Sequence, residues 1–278
     1  MQQSNRVALV QMRSSGDKVK NLKLSVEYVK EASRKKACLI CFPEFQMMFS
    51  PKSQSLKQLG RLAESVTEGN FIPSLCKAAK RYKINIVATI YEKNDTSVNS
   101  HVYDTAIMIS DRGSVSSAYR KVHLYDALGF KESNKFAAGN TIEEPTKTPI
   151  GKVGLLICYD IRFPEMARIL SVKGADILIS PSAWVEGVMK EEHWETMLKA
   201  RAIENGSYVI APDQVGNIYS GRSMVVDPFG TVVMDMGNRE GMEIIEIDRL
   251  RIKKVRESLP LLLNRRIDVY RDNISVFG

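Results

Sequence analysis

The sequence predicts an α/β fold with mixed sheets and helices on the outside. Through the first half of the chain, short apolar and partly β-branched runs alternate with amphipathic helical patterns, which argues strand–helix units. Later, pairs of such runs flank turn sequences, so some neighbouring strands must run antiparallel. The 278 residues are 44% hydrophobic and 26% charged, an ordinary globular balance with enough apolar material for one domain over residues 1–278.

Val7 to Gln11 opens as a strand, and Val19, Leu22, Val26 and Val29 follow at helical spacing, giving a helix from Asp17 to about Ser33. Ala37 to Phe42 is a second buried strand, broken by Pro43, which has no N–H to give a ladder. A helical pattern over Phe71 to Tyr82 leads into a strand over Ile84 to Tyr91. Tyr103 to Ser110 and Val115 to Arg120 flank Asp111-Arg112-Gly113 and should pair as a hairpin. From Lys121 to about Pro149 the chain is polar with little periodicity, which suits a functional loop or a surface excursion. Val153 to Ile157 is the next buried strand, and Pro164-Glu165 opens a helix through Met166, Ala167, Ile169 and Leu170. A strand over Ala175 to Ser180, a helix over Glu191 to Asn205 and a strand over Ser207 to Ala211 continue the alternation. Arg222 to Val226 and Thr231 to Met234 flank the turn Asp227-Pro228-Phe229-Gly230. Glu243 to Ile247 closes the sheet, and Leu250 to Leu259 is the last helix.

No apolar run reaches membrane-spanning length, and the start MQQSNRVALVQM lacks a signal-peptide pattern. Cys38, Cys41, Cys76 and Cys158 are scattered. Cys38 and Cys41 form a CxxC inside ACLICFPE, with no second pair for zinc, at the end of a strand rather than the opening of a helix. Core packing and reduced thiols in the cytoplasm are expected. The net charge of +8 comes from 40 basic and 32 acidic residues spread along the whole chain. Without a nucleic-acid motif, it predicts a solvated basic surface and no nucleic-acid or membrane partner.

The chain is organised around Lys152 to Glu165, the stretch that holds GLLICYDIRFPE. Here a buried strand turns into a helix at Cys158, where ligands bind in sheets of this kind. On that stretch alone, a nucleophile and a packed core cysteine are both open. A nucleophilic thiol needs a base and donors for the oxyanion it creates. The histidines, His101, His123 and His193, occupy no evident strand-end slot, although spacing leaves a Cys–His pair open. Glu44, straight after Pro43 in CFPEF, is a charge at the end of a buried strand, and such a carboxylate must be paired or hydrogen-bonded. Lys121 in YRKVHLYD likewise follows a strand directly. Taken alone, the two could be a structural ion pair.

CFPEF, YRKVHLYD and GLLICYDIRFPE occur in this order, each at a strand end, and together they resemble the nitrilase superfamily of carbon–nitrogen hydrolases. GADILISPSAW, the HWE…RAIENGSYVI segment and GRSMVVDPFGTVV extend the likeness over nearly the whole chain. The resemblance implies a four-layer αββα sandwich, two sheets face to face with helices outside. It implies Cys158 as nucleophile, Glu44 as general base and Lys121 as the oxyanion-holding lysine. Glu132, in FKESNKFAAG, matches a second family glutamate that holds the lysine, though it also reads as an exposed loop charge. Cys158-Tyr159-Asp160, instead of Cys-Trp-Glu, resembles the amide-hydrolysing branches, above all the omega-amidase and deaminated-glutathione amidase group, which acts on ω-amides of α-keto acids. The same likeness implies a cysteine thioester, ammonia release, no metal or organic cofactor, and a homodimer in which the tail from about 260 to 278 covers the partner.

Tyr159, Arg162 and His193 are carried as substrate- or oxyanion-binding residues, and Arg201 is a further cation near the site. Arg162 also suits a scaffold role, tying the helix start to neighbouring carboxylates. The alternatives are an N-carbamoyl amide hydrolase, an aliphatic amidase, a nitrilase, or a silent binding scaffold. Two departures stand out. The family usually has Tyr-Asn-Thr or Tyr-Asn-Ser where this chain has Tyr103-Asp104-Thr105, which is expected to change a structural hydrogen bond without touching the chemistry. The loop from Tyr125 to Lys131 is short for the group, so the acyl portion of the substrate is left open.

Overall fold

The computed structural model describes residues 4–94 and 101–274. The first half comprises β1 (Arg6–Gln11), α1 (Lys18–Arg34), β2 (Leu39–Cys41), α2 (Leu56–Leu62), α3 (Phe71–Tyr82), β3 (Asn85–Glu92), β4 (Tyr103–Ile109) and β5 (Val115–Arg120). The second comprises β6 (Thr146–Thr148), β7 (Gly151–Leu155), α4 (Pro164–Val172), β8 (Ile177–Ile179), α5 (Lys190–Asn205), β9 (Tyr208–Ala211), β10 (Val215–Gly216), β11 (Tyr219–Ser220), β12 (Met224–Val226), β13 (Val232–Asp235), β14 (Gly241–Glu246), α6 (Arg249–Ser258) and α7 (Ile267–Ile274).

Two six-stranded sheets result, ordered β14-β1-β2-β3-β4-β5 and β13-β12-β9-β8-β7-β6. Each has a parallel middle, β1-β2-β3 in one and β7-β8-β9 in the other, with antiparallel strands on both flanks. Side-chain alternation builds the layers. Val7 and Leu9 of β1, with Leu39, Cys41 and Val87, share a core with Val153, Leu155 and Ile177 of the second sheet. The intervening Ala8, Val10, Ile40, Ile86 and Ala88 pack outward with Val29 and Ala32 of α1 and Leu75 and Ala79 of α3. Strands buried on both faces read as continuous apolar runs, which is why these strands were legible. On the other side α4 lies so close to β7 that a Cβ at Gly154 would meet the Leu170 side chain at 3.1 Å. The fold is the expected αββα sandwich.

Local signals account for the element ends. The Asp17 carboxylate caps α1 by accepting from Val19 N at 2.9 Å and Lys20 N at 3.2 Å. Gly206, at φ 55°, ends α5 in the left-handed region. Four features escaped sequence patterning. α2 is a seven-residue helix with a Ser55–Gln58 capping box that buries only Leu59. β6 is a three-residue edge strand without apolar alternation. β10 and β11 form a two-residue ribbon. α7 follows the Leu261–Leu263 run, where no helix was expected. The residues beyond 274 lie outside the described part of the tail.

The cysteines are all unpaired thiols. Burial pushes the Cys38 thiol up to about 11 and Cys41 higher still, as suits packing rather than redox exchange. No helix among the described residues is long and apolar enough to cross a membrane.

Candidate active site

The strands bring their ends together at one edge of the sandwich. Glu44 follows β2 and Lys121 follows β5; β7 continues through Leu156, whose N–H donates to Ile179 O at 2.9 Å, and ends at Cys158. Strand-end residues of parallel segments point into the crevice where such sheets bind ligands.

Glu44 and Lys121 are each 1% exposed, and the lysine Nζ donates to Glu44 Oε1 at 2.7 Å. The same Nζ donates to both oxygens of Glu132, at 3.1 Å and 2.9 Å, and Glu132 also accepts from Tyr125 N at 2.7 Å. Glu132 is therefore no loose surface charge; a 3-10 turn over Glu132–Asn134 holds it at 17% exposure. Burial alone would depress the Lys121 ammonium, but Glu132 and Glu44 outweigh it and hold its pKa well above the ordinary lysine value. Lys121 is thus a permanent cation with two carboxylate partners.

Cys158 starts a 3-10 turn over Cys158–Arg162 at φ 43°. A left-handed backbone is costly for a residue with a Cβ, so the surrounding structure must impose it. It does so through Cys158 N donating to Pro181 O at 2.9 Å and through Asp160. The buried Asp160 carboxylate accepts from Ile157 N at 3.0 Å, Tyr119 Oη at 2.7 Å and His123 N at 3.1 Å, tying the turn to the segment that carries Lys121. Burial pushes the thiol well above its usual value and the Glu44 charge adds to this, while Lys121 and the Ala183 N–H pull it down. Burial and the Glu44 charge thus favour the protonated thiol.

Cys158 and Glu132 reach a cavity of about 500 Å³, also lined by Tyr159, Arg162, Trp184 and Lys190. A pocket of that size with a few convergent polar groups suits a small molecule. The carbon-nitrogen hydrolase family model matches residues 6–257. The chain belongs to that family.

Among its relatives, the mouse deaminated glutathione amidase is 38% identical over 95% of this chain and 84% of its own. The Escherichia coli O157:H7 protein of the same name is 33% identical over 89% and 92%. The Caenorhabditis elegans NitFhit protein superposes with a TM-score of 0.88 at 33% identity over 96% of this chain, which spans 66% of that longer chain. Saccharomyces cerevisiae Nit3, of branch 10 of the nitrilase superfamily, gives 0.83 at 31% identity over 95% and 97%. The family and these relatives make the protein a cysteine-dependent amidohydrolase.

Other hydrolase-site expectations need correction. His193 lies on the exposed face of α5, outside the cavity, because Trp194 and Leu198 turn inward there. His123 does not face Cys158: its Nδ1 lies 2.8 Å from Asp160 Oδ1 and its ring stacks on Phe163. Of the two candidate arginines, Arg162 lines the cavity and Arg201 does not. Arg201 is scaffold, donating to Ile161 O at 2.8 Å and pairing with Glu204 at 3.0 Å. Arg162 stacks over Trp184 at 4.5 Å, and its buried Nη2 has no hydrogen-bond partner among the described residues.

Lys190 went unseen in the sequence, and the place of Asp104 was misjudged. Lys190, 5% exposed, opens α5 and donates to Tyr125 Oη at 3.0 Å beside Trp184. Burial depresses its pKa and the Arg162 charge adds to this. The Asp104 carboxyl is buried 3.8 Å from Lys121, so its presence in place of asparagine does reach the chemical centre.

Proposed function

We propose that this chain hydrolyses the amide bond of a small carboxylate-bearing substrate through a thioester on Cys158, releasing ammonia. The Glu44–Lys121–Glu132 ion-pair cluster, whose Glu44 and Lys121 charges act on a thiol that lines the cavity, carries this reading. As Cys158 Sγ attacks the carbonyl carbon, its proton passes to Glu44 and the carbonyl electrons move onto oxygen. Lys121 and the Tyr159 N–H hold that oxyanion, where a fixed charge in a dry site is worth most. The C–N bond then breaks, its electrons leave with nitrogen, and Glu44 returns the proton to release ammonia. Water attacks the thioester while Glu44 takes its proton. Collapse breaks the C–S bond, the sulfur regains a proton, and the acid departs.

Arg162 and Lys190 support the carboxylate. Lys190 is buried and Arg162 half-buried at the cavity wall, and neither has an acidic partner among the described residues. One charge-assisted pair is worth about 1.5–3 kcal/mol, or roughly one to two orders of magnitude in kcat/KM. Arg162→Gln should lose about that much on a carboxylate-bearing amide and little on a neutral one. Equal rates of the wild type on the two amides would leave an aliphatic or carbamoyl amidase instead. The relatives named deaminated glutathione amidase support an amide over a nitrile. Ammonia release from a panel of amides, carbamoyl amino acids and nitriles decides among these, and release from none would leave a binding scaffold.

A cytoplasmic homodimer fits the same reading. Leu263 is 86% exposed and Ile267 55%, and Val172 of α4 is also open. Deleting residues 260–278 should convert a dimer to a monomer by light scattering; an unchanged mass would remove the tail from the interface.

A further inference from the structure

Asp104 enters the site from the start of β4, opposite Tyr91 of β3, and its backbone carbonyl accepts from Lys121 N at 2.9 Å. Its carboxyl is 2% exposed, and neither oxygen has a hydrogen-bond partner among the described residues. The Lys121 ammonium, at 3.8 Å, is out of hydrogen-bond range because Glu44 and Glu132 already hold it. Asp104 and Glu44 flank the same Lys121 ammonium, at 3.8 Å and 2.7 Å, which sets the two carboxyls side by side in a dry site. Glu132 from the loop and Tyr91 from β3 complete its charged and titratable surroundings. Tyr91 offers no help, since its hydroxyl donates to Met48 O at 2.7 Å.

Two ionised carboxylates in dry contact do not persist; one of them carries a proton. Glu44 accepts the short bond from Lys121, so its anion is the stabilised one. Asp104 has no donor to stabilise a charge.

We propose that Asp104 is a neutral acid in the resting site and donates its O–H to Glu44, as a positioning residue that fixes the base. Burial pushes the Asp104 carboxyl well above the usual carboxylate range, and the Glu44 charge adds to that. Held by Lys121 and by the Asp104 hydroxyl, the Glu44 carboxylate has one orientation instead of several when it receives the thiol proton.

The kinetic arm of the test rests on the amidase reading, whereas the spectroscopic arm needs no substrate. Infrared spectra at neutral pH in H2O and D2O should show a protonated-carboxyl C=O stretch in the wild type that Asp104→Asn removes. Protonated-carboxyl intensity that does not fall on substitution puts the proton on another group, such as Glu44, Glu132 or the buried Asp213, and no band at all means an ionised Asp104; either overturns the proposal. In turnover, Asp104→Ala should lose about tenfold or more in kcat with KM little changed, and Asp104→Asn, which keeps a donor, should recover most of the loss. Equal losses in both would overturn the positioning role. Should the alanine variant fail to fold, the band and the pH profile of Asp104→Asn decide. Removing a neutral acid leaves the profile of kcat/KM within about half a unit, whereas removing an anion moves its acidic limb down by about one unit or more.

Discussion

Cys158→Ala should lose turnover by about four orders of magnitude or more while the protein keeps its fold. Without the sulfur no thioester forms, and Lys121 can only polarise a carbonyl that nothing attacks. The fold should survive for a specific reason. Alanine carries the same Cβ as cysteine, so the left-handed backbone at φ 43° is no more strained than before. The lost sulfur leaves a small gap beside the substrate cavity, where Cys158 is already 8% exposed. Cys158→Ser should fail almost as badly, because a hydroxyl holds its proton more tightly against the same base. Stopped-flow ammonia release together with near-UV circular dichroism measures both claims. Turnover retained in Cys158→Ala, or an acyl adduct mapped by mass spectrometry to Cys76, would sink the assignment.

The second large effect is a non-additive one. Glu44→Gln and Lys121→Met should each cost about a thousandfold or more in kcat, and the double variant should be little slower than the worse single one. Groups that serve one transition state cannot each be lost twice. Losses that multiply would point instead to an ordinary structural pair. Stability should separate the variants further. Lys121→Met leaves Glu44 and Glu132 around a vanished cation, and breaking a buried pair in this way costs about 3–5 kcal/mol. Adding Glu44→Gln removes one of those orphaned charges, so the double variant should regain part of the denaturant midpoint that Lys121→Met loses.

The residues that carried most of the sequence reading were those whose environment is set by their own strand. Glu44, Lys121 and Cys158 each follow a buried run directly, so their placement at a sheet edge could be read locally. Glu132 was legible only by likeness, because its place depends on a 3-10 turn and on Tyr125 N. Lys190 gave no signal, since in sequence it is one lysine among polar neighbours, and the left-handed Met189 before it turns it inward. His193 misled because a motif says nothing about which side of a helix faces the site. The division between Arg162 and Arg201 has the same origin: only tertiary packing decides which one finds backbone carbonyls and which finds Trp184. Asp104 was seen as a departure but not as a neighbour, because only the pairing of β4 with β3 and β5 returns it beside Lys121.

Glu44, Lys121 and Asp104 stand on one sheet and Cys158 on the other. Neither half of the sandwich owns a working set, so the protein is an enzyme only while its two halves are mated. Under rising pressure or mild denaturant, water entering that seam would separate base from thiol while both sheets still held their hydrogen-bonded ladders. Ammonia release then becomes a gauge of how tightly the two halves are clasped, and it should fade before the backbone signal does.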